Sequence, residues 1–220
     1  MKYKISVNRA IQILLFFLFV LNLSDGLFTP LFAVYVTDFI INASLSTVGF
    51  AIAVFAVTKS IIQVPLARRL DRIKGELDDF SAMLIGSIIG VVYPLFLIII
   101  NQTWQLYAVE FFAGAGTGCL MAAYYSVFSR HVDREQQGFE WSLFSVGGIT
   151  LSVAIGGAIG GVLADVFGFR VLFLISSFLN FIGAVLLVWL YPYMKGIRSK
   201  ARSAHLYNFS RKHNPKQRHL

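Results

Sequence analysis

Six apolar segments, each long enough to cross a bilayer as a helix, constrain the fold of this chain more than any other feature. They lie near residues 11–36, 46–67, 80–100, 104–129, 141–163 and 171–193. A helix needs about 20 apolar residues to cross a hydrocarbon core about 30 Å thick. The segments lack the alternation of apolar and polar residues that is typical of a membrane β-barrel. The sequence therefore predicts an all-α membrane protein, with six transmembrane helices in one bundle at residues 1–194.

The composition fits a membrane protein and argues against several soluble classes. Charged residues make up 14% of the chain, against about 25% in ordinary soluble domains. The single cysteine, Cys119, excludes a scaffold built on internal disulfides. We expect the first segment to be a membrane helix and not a cleaved signal peptide, because no small-residue cleavage site follows Leu23 and the apolar character continues to Val36.

The basic residues lie almost entirely on one side of the predicted membrane. Of 19 Lys and Arg residues, only Arg170 falls on the opposite side, and Lys59 lies inside a segment. Cytoplasmic loops carry the excess of Lys and Arg in membrane proteins. The pattern predicts a multi-pass protein of the cell membrane with both termini in the cytoplasm. The remaining bases are Lys2, Lys4, Arg9, Arg68, Arg69, Arg72, Lys74, Arg130, Arg134 and eight residues of the tail.

The tail at residues 195–220 holds eight of these bases and no acidic residue. Such a segment cannot bury a core, so we expect it to be a disordered cytoplasmic tail. Anionic lipid attracts basic segments beside a membrane by about 1 kcal/mol per residue. We therefore expect membrane lipids, and not nucleic acid, to be its partner.

The sequence offers no recognisable catalytic machinery. All four histidines lie in a loop or in the tail, so no His–Cys–carboxylate cluster and no Ser–His pair can form inside the membrane. A phosphate-binding loop of the G-x-x-x-x-G-K-[ST] type is also missing from the sequence. We predict that the chain is not an enzyme and uses no metal or cofactor. A membrane enzyme that works through unusual carboxylates is the remaining alternative.

Three charged residues lie within the apolar segments, namely Asp25, Lys59 and Glu110. A charge at a helix centre costs about 2.5–3.5 kcal/mol on insertion scales, so each needs a partner or water. Asn22 and Asp25 share a helix face, and Gln63 extends the polar face of Lys59. One interpretation is that these residues line a cavity in which Asp25 binds an ion or a solute. The alternative is a structural pair of Asp25 with Lys59, or a Lys59 that reaches toward the membrane surface.

Residues 67–76, after the second segment, read Ala-Arg-Arg-Leu-Asp-Arg-Ile-Lys-Gly-Glu. This loop resembles the cytoplasmic motif of the major facilitator superfamily, Gly-x-x-x-Asp-Arg/Lys-x-Gly-basic-basic. Asp71, Arg72 and Gly75 match the motif, whereas Ala67, the additional Lys74 before Gly75, and Glu76 depart from it. The alternative is a solvated turn of mixed charge. The fourth segment is similar to the family pattern Arg-x-x-x-Gly-x-Gly, with Glu110 in the place of the Arg. The proton-coupling role of that Arg therefore does not transfer to this chain.

The fifth segment resembles the pattern Gly-Pro-x-x-Gly-Gly of efflux members of the same superfamily. Its glycines are expected to let two helix backbones approach closely. Arg170 follows in the short outer loop, where it is expected to cap carbonyls or to anchor at head groups. The matching residues are Gly156, Gly160, Gly161, Gly168, Arg170 and Phe173.

The resemblance extends over nearly all of residues 10–193 and implies one six-helix half of a twelve-helix transporter. It implies a secondary transporter of an unknown small solute. The fifth segment resembles efflux members, but the sequence does not give the direction of transport. The sequence contains no second copy of the pattern, so a homodimer or a separately encoded half is expected. The alternative is a non-transporting truncated half or a membrane scaffold protein.

Overall fold

The structure, a computed structural model, describes residues 7–72 and 76–212, with side chains described up to residue 193. This part of the chain is helical and contains no strand. The first helices are α1 (Arg9–Phe28), a 3₁₀ turn (Thr29–Leu31), α2 (Phe32–Phe39), α3 (Leu45–Arg72) and α4 (Glu76–Ile99). They are followed by α5 (Thr103–His131), α6 (Gln137–Ser142), a π-helical turn (Leu143–Leu151) and α7 (Ser152–Lys212).

The prediction of an all-α membrane fold is confirmed, but the count of six separate helices is not. Five helical runs of the described chain are long and apolar enough to cross a membrane. The predicted segments 141–163 and 171–193 both fall in the last run, Gln137–Tyr193, which has 57 residues. A straight helix of that length would extend about 85 Å, far more than a bilayer core.

Gly168 interrupts this last run, because its backbone angles are φ 76° and ψ 170°, outside the helical region. Before Gly168, the run packs along α1 in the same chain direction. Gly148 faces Leu18, and Gly160 lies against the backbone of Leu27. The two helices therefore advance together, as parallel neighbours.

After Gly168, the run packs along α1 in the opposite direction. Ser176 is hydrogen-bonded to Ser24, and Gly183 faces Leu21. Later residues of α7 therefore contact earlier residues of α1. The chain therefore reverses direction at Gly168, where a glycine tolerates the positive φ that other residues rarely adopt.

The packing order of the helices leaves one side of the bundle open. α1 packs along α7, α3 packs along α5, and α4 lies between α5 and α7. α1 and α3 do not pack along each other within the described chain. A space bounded by α1, α3, α4 and α5 is the result.

The α5 glycines allow its close packing on both neighbours. A Cβ added at Gly114 would lie 2.5 Å from the carbonyl oxygen of Phe55 on α3, and one at Gly116 would lie 2.6 Å from the Ile89 side chain on α4. Gly118 also faces α3. Small residues of this kind let helices in a membrane approach until their backbones touch. These contacts hold α3 and α4 against α5 and so fix two walls of the open space.

The last helix, α7, continues to Lys212. Residues 213–220 lie outside the described chain, and side chains after residue 193 are not described. The division at residue 194 and the disorder of the tail at 195–220 therefore stay predictions.

Candidate functional site

A cavity of about 490 Å³ occupies the space between α1, α3, α4 and α5. Most of its wall is apolar, with a small number of polar groups, as is usual for sites that bind small molecules. The polar and charged residues that line it are Asn22, Asp25, Thr29, Lys59, Ser87, Tyr93, Thr117, Glu110 and Asn180.

The cavity brings together all three charged residues that the sequence placed inside the membrane. Asp25 and the half-buried Asn22 reach it from α1, and the half-buried Lys59 reaches it from α3. Glu110 belongs to α5 and is 4% exposed, whereas the Asp25 side chain is exposed. Asp25 is therefore the more accessible of the two carboxylates.

Asp25 and Lys59 line the same cavity without forming an ion pair. Within the described residues, the only Lys or Arg nitrogen within 4.0 Å of a carboxylate oxygen belongs to Arg130. The structural pair considered from the sequence is therefore not formed in this conformation. Both charged groups remain available to water or to a ligand in the cavity.

Glu110 has a protein partner, in contrast to Asp25. The Tyr93 hydroxyl on α4 donates a hydrogen bond of 2.8 Å to Oε1 of Glu110. A hydrogen bond to a charged group contributes about 1.5–3 kcal/mol. This bond ties α4 to α5 at the cavity wall. The sequence contains no sign of it, since Tyr93 lies in an apolar run and carries no charge.

Two further polar side chains were not singled out by their pattern in the sequence as cavity residues. Ser87 is 1% exposed, and its Oγ has no hydrogen-bond partner in the described part of the chain. Thr117 reaches the cavity from α5. Nearby, Nδ2 of Asn180 donates a hydrogen bond of 3.0 Å to the carbonyl of Gly90 and links α7 to α4.

Gln63 lies one turn beyond Lys59 on α3 and is not among the residues that line the cavity. The loop motif lies still further along the same helix. There, Asp71 accepts a hydrogen bond of 3.3 Å from the Ser126 hydroxyl on α5. Arg72 is exposed at the end of α3, and Gly75 lies outside the described residues.

An ion pair between an exposed arginine and a buried carboxylate joins α4 and α5 near the loop motif. Arg130 donates to Asp79, whose side chain is 0% exposed. Removing Arg130 would leave a buried charge uncompensated, so the pair holds these two helix ends together. In the sequence, Arg130 is visible only as one of the bases on the cytoplasmic side, and nothing in the pattern singles out Asp79 as its partner.

The glycine motif lies on the side of α1 that faces away from the cavity. Added Cβ atoms at Gly156 and Gly160 would lie 2.5 Å and 1.9 Å from the carbonyl oxygens of Leu23 and Leu27. Gly161 has nothing within 4 Å. Arg170 is exposed. Of these glycines, Gly156 and Gly160 thus make the close backbone contact.

The described residues contain no group of three His, Cys, Asp or Glu side chains placed to hold a metal ion. The polar groups that the cavity presents are charges, amides and hydroxyls. It can bind charged and polar groups of a small molecule, and it contains no His or Cys side chain.

The fold and the cavity define a helical membrane protein with a polar site inside its bundle, and comparison with known proteins identifies the family. The profile of the Major Facilitator Superfamily matches residues 14–217. The chain belongs to this superfamily, which is a family of multi-pass membrane transporters and not of enzymes.

Two curated relatives carry the name "Multidrug resistance protein MdtG". The chain is 25% identical over 170 residues to the protein of Dickeya zeae (strain Ech586), a match that covers 75% of this chain and 40% of that protein. It is 21% identical to the protein of Enterobacter lignolyticus (strain SCF1), covering 76% of this chain and 39% of that protein. The chain thus spans about two fifths of the length of these relatives.

The fold is similar to that of a solved transporter. The match to the crystal structure of the POT family transporter PepTSo has a TM-score of 0.60 and 18% sequence identity. It covers 86% of this chain and 38% of that chain. The likeness concerns the fold and supports a bundle that corresponds to part of a larger transporter.

Proposed function

We propose that this chain is one six-helix half of a secondary active transporter for a small solute. The observation that carries the proposal is the cavity in which Asp25 and Lys59 lie exposed or half-buried without a contact ion pair in the described residues. Unpaired charges inside a membrane are costly, so they are retained where an ion, a solute or water uses them. Asp25 is the leading candidate for contact with the solute or the coupling ion.

The half crosses the membrane six times, with the fifth and sixth crossings on either side of Gly168. Two observations support this. The run Gln137–Tyr193 has more than enough residues for two crossings, and it packs on α1 in opposite directions before and after Gly168. Asp165 and Arg170 flank the reversal and are exposed. We propose that the reversal lies outside the cell and that both termini lie in the cytoplasm, because 17 of the 19 Lys and Arg residues fall on the opposite side of the membrane from the reversal.

Cysteine labelling tests this topology in a Cys119→Ser background. Asp165→Cys should react with a membrane-impermeant maleimide in intact spheroplasts. Arg134→Cys, in the loop before α6, should react only after the membrane is permeabilised. Labelling of both positions from the same side would mean that the run between them does not cross the membrane an odd number of times, and the six-crossing topology would be wrong.

A second bundle completes the transporter, either as a second copy of this chain or as a separately encoded half. The chain spans about 40% of the relative from Dickeya zeae, and α1 and α3 leave the cavity without a packed wall between them. The two bundles rock against each other around the cavity, as the halves of this fold do. Efflux is the proposed direction, since both relatives are named for multidrug resistance.

Two measurements together test the transporter proposal. Crosslinking in native membranes should capture the chain with a second bundle. Proteoliposomes of the complex should then move at least one of a set of cationic, anionic and zwitterionic dyes when a proton or sodium gradient is imposed. Asp25→Asn should abolish this flux, whereas Asp165→Asn, an equal charge change outside the cavity, should preserve it. A monomeric chain with no gradient-driven flux would refute the proposal.

A second candidate is a membrane scaffold protein that does not transport. The match covers 39–40% of two relatives that are named for multidrug resistance, and it is compatible with this role. Under this alternative, Asp25→Asn changes neither complex formation nor any flux. An adjacent reading frame that encodes six more helices would favour the transporter.

A further inference from the structure

Two opposite charges on facing walls of the cavity indicate what kind of solute fits it. Asp25 belongs to α1 and Lys59 belongs to α3, the two helices that bound the cavity without packing along each other. The two charges interact through space, but they form no contact ion pair in the described residues. A solute that carries a cation alone, or an anion alone, would take the place of one charge as the counter-charge of the other and leave one residue uncompensated. An uncompensated charge inside a membrane is costly.

The spacing of these charges adds a second condition. An ion pair would need a Lys59 nitrogen within 4.0 Å of an Asp25 oxygen, and no such contact exists. There is therefore space for solute atoms between the two charged groups. A solute that contacts both walls carries a positive group for Asp25 and a negative group for Lys59.

The rest of the lining sets the nature of that body. The cavity is also lined by apolar side chains, among them Phe28, Val48, Phe55 and Leu120. Contact with these side chains removes apolar surface of the solute from water, at about 25 cal/mol per Å². The lining thus favours an apolar body of a size that a cavity of about 490 Å³ accepts.

Glu110 and Ser87 also line the cavity, but they do not change the expected positions of the two charged groups of the solute. One oxygen of Glu110 already accepts a bond from Tyr93, so Asp25 is the more available site for a cation. Ser87 is 1% exposed and has no partner for its Oγ in the described chain. A buried hydroxyl without a partner is expected to bind a polar group that enters the cavity.

We propose that the cavity binds a zwitterion with an apolar body, its cationic group at Asp25 and its anionic group at Lys59. This inference rests on the proposed transporter function and names the class of its solute. The same chemistry is presented by a free solute and by a zwitterionic lipid head group, and the test separates the two sources.

Three probes with one body test the charge requirement. 4-(Aminomethyl)benzoic acid carries both charges at opposite ends of a benzene ring, its methyl ester keeps only the cation, and its N-acetyl derivative keeps only the anion. Dissociation constants are measured by calorimetry on the full chain, in its native assembly, in phosphatidylglycerol nanodiscs. The zwitterion should bind about tenfold more tightly than either derivative, since each derivative loses one charged contact.

Two substitutions test which residue binds the positive group of the probe and which binds the negative group. In Asp25→Asn, the zwitterion should bind no better than the N-acetyl derivative. In Lys59→Met, it should bind no better than the ester. A purely structural role of either residue would weaken all three probes by the same factor. Asp165→Asn and Arg134→Met make the same charge changes at exposed positions outside the cavity, and both should preserve the tenfold preference.

The results separate the identity of the solute from transport itself. Equal or tighter binding of either derivative, or no binding of any probe, overturns the zwitterion proposal. If dye flux persists in that case, the transporter proposal still stands. Loss of dye flux with probe binding retained would count against transport alone.

Nanodiscs with added phosphatidylethanolamine distinguish a lipid head group from a free solute. A higher apparent dissociation constant of the zwitterionic probe indicates a lipid head group, and an unchanged constant indicates a free solute. Both results support a zwitterion.

Discussion

The two sides of α1 differ sharply, although their residues alternate along a single helix. The side that faces α7 is packed to backbone contact, with Gly26 against Val153 and Gly160 against Leu27. The side that faces the cavity presents Asn22 and Asp25 to open space. Gly26 and Asp25 are neighbours in the chain, yet one permits contact between two backbones and the other carries an unpaired charge.

This difference shows how the bundle holds a charge inside a membrane. Close packing on α7 fixes the position of α1, because interiors packed to this density deform little. Hydrogen bonds between Ser24 and Ser176, which are both 0% exposed, strengthen the same side. The opposite side is then free to carry polar groups that contribute nothing to packing. We expect substitutions on the packed side to change stability and those on the cavity side to change binding.

Gly160→Ala should give the largest loss of stability. The added Cβ would lie 1.9 Å from the Leu27 carbonyl oxygen, so the two backbones must separate, at a cost of about 3 kcal/mol. Thermal unfolding of the purified protein measures this loss. Gly161→Ala is the matched control, because nothing lies within 4 Å of its added Cβ. The control should gain about 0.5–1 kcal/mol, as expected for alanine in a helix. Equal effects of the two substitutions would mean that the backbone contact is not what holds α1.

Tyr93→Phe should cost about 2 kcal/mol, because it leaves one oxygen of a carboxylate that is 4% exposed without its donor. The measurement is again the thermal unfolding of the purified protein. Tyr107→Phe on α5 is the control, since the Tyr107 hydroxyl makes no hydrogen bond in the described chain. A similar, small change for both variants would contradict the assignment of Glu110 as a partnered wall residue.

Ser24→Ala should give the smallest effect, about 1 kcal/mol, by removing the hydroxyl that donates to the Ser176 carbonyl at 2.8 Å. A double-mutant cycle with Ser176→Ala isolates the hydroxyl–hydroxyl contact of 2.7 Å. The cycle should give a coupling energy different from zero, because the two residues touch. Fully additive losses would show that the two hydroxyls do not interact across this interface.

The helices were predictable from the sequence because their length and apolar character follow from the thickness of a bilayer. The charged residues of the site were also visible, since Asp25, Lys59 and Glu110 stand out in apolar runs. Their partners were not. Tyr93 and Glu110 are 17 residues apart on different helices, and nothing in a sequence reports which faces of two helices meet.

The glycines show the same limit. Gly160 and Gly161 are equivalent in a motif, but a rotation of about 100° per residue directs one at α1 and the other away from it. The sequence also did not predict that the segments 141–163 and 171–193 lie in one helical run. The residues on both sides of Gly168 are helical, and Gly168 is the residue within this run whose backbone angles are not helical.

The rate at which a water-soluble methanethiosulfonate reagent reacts with cysteines on α1 tests most directly that this helix has one packed side and one open side. The protein is labelled in nanodiscs in a Cys119→Ser background. Asn22→Cys should react at least about 100-fold faster than Ser24→Cys, because Asn22 lines the cavity and Ser24 is 0% exposed. Equal rates, or a faster reaction at Ser24→Cys, would contradict the two-sided arrangement of α1 and the cavity that depends on it.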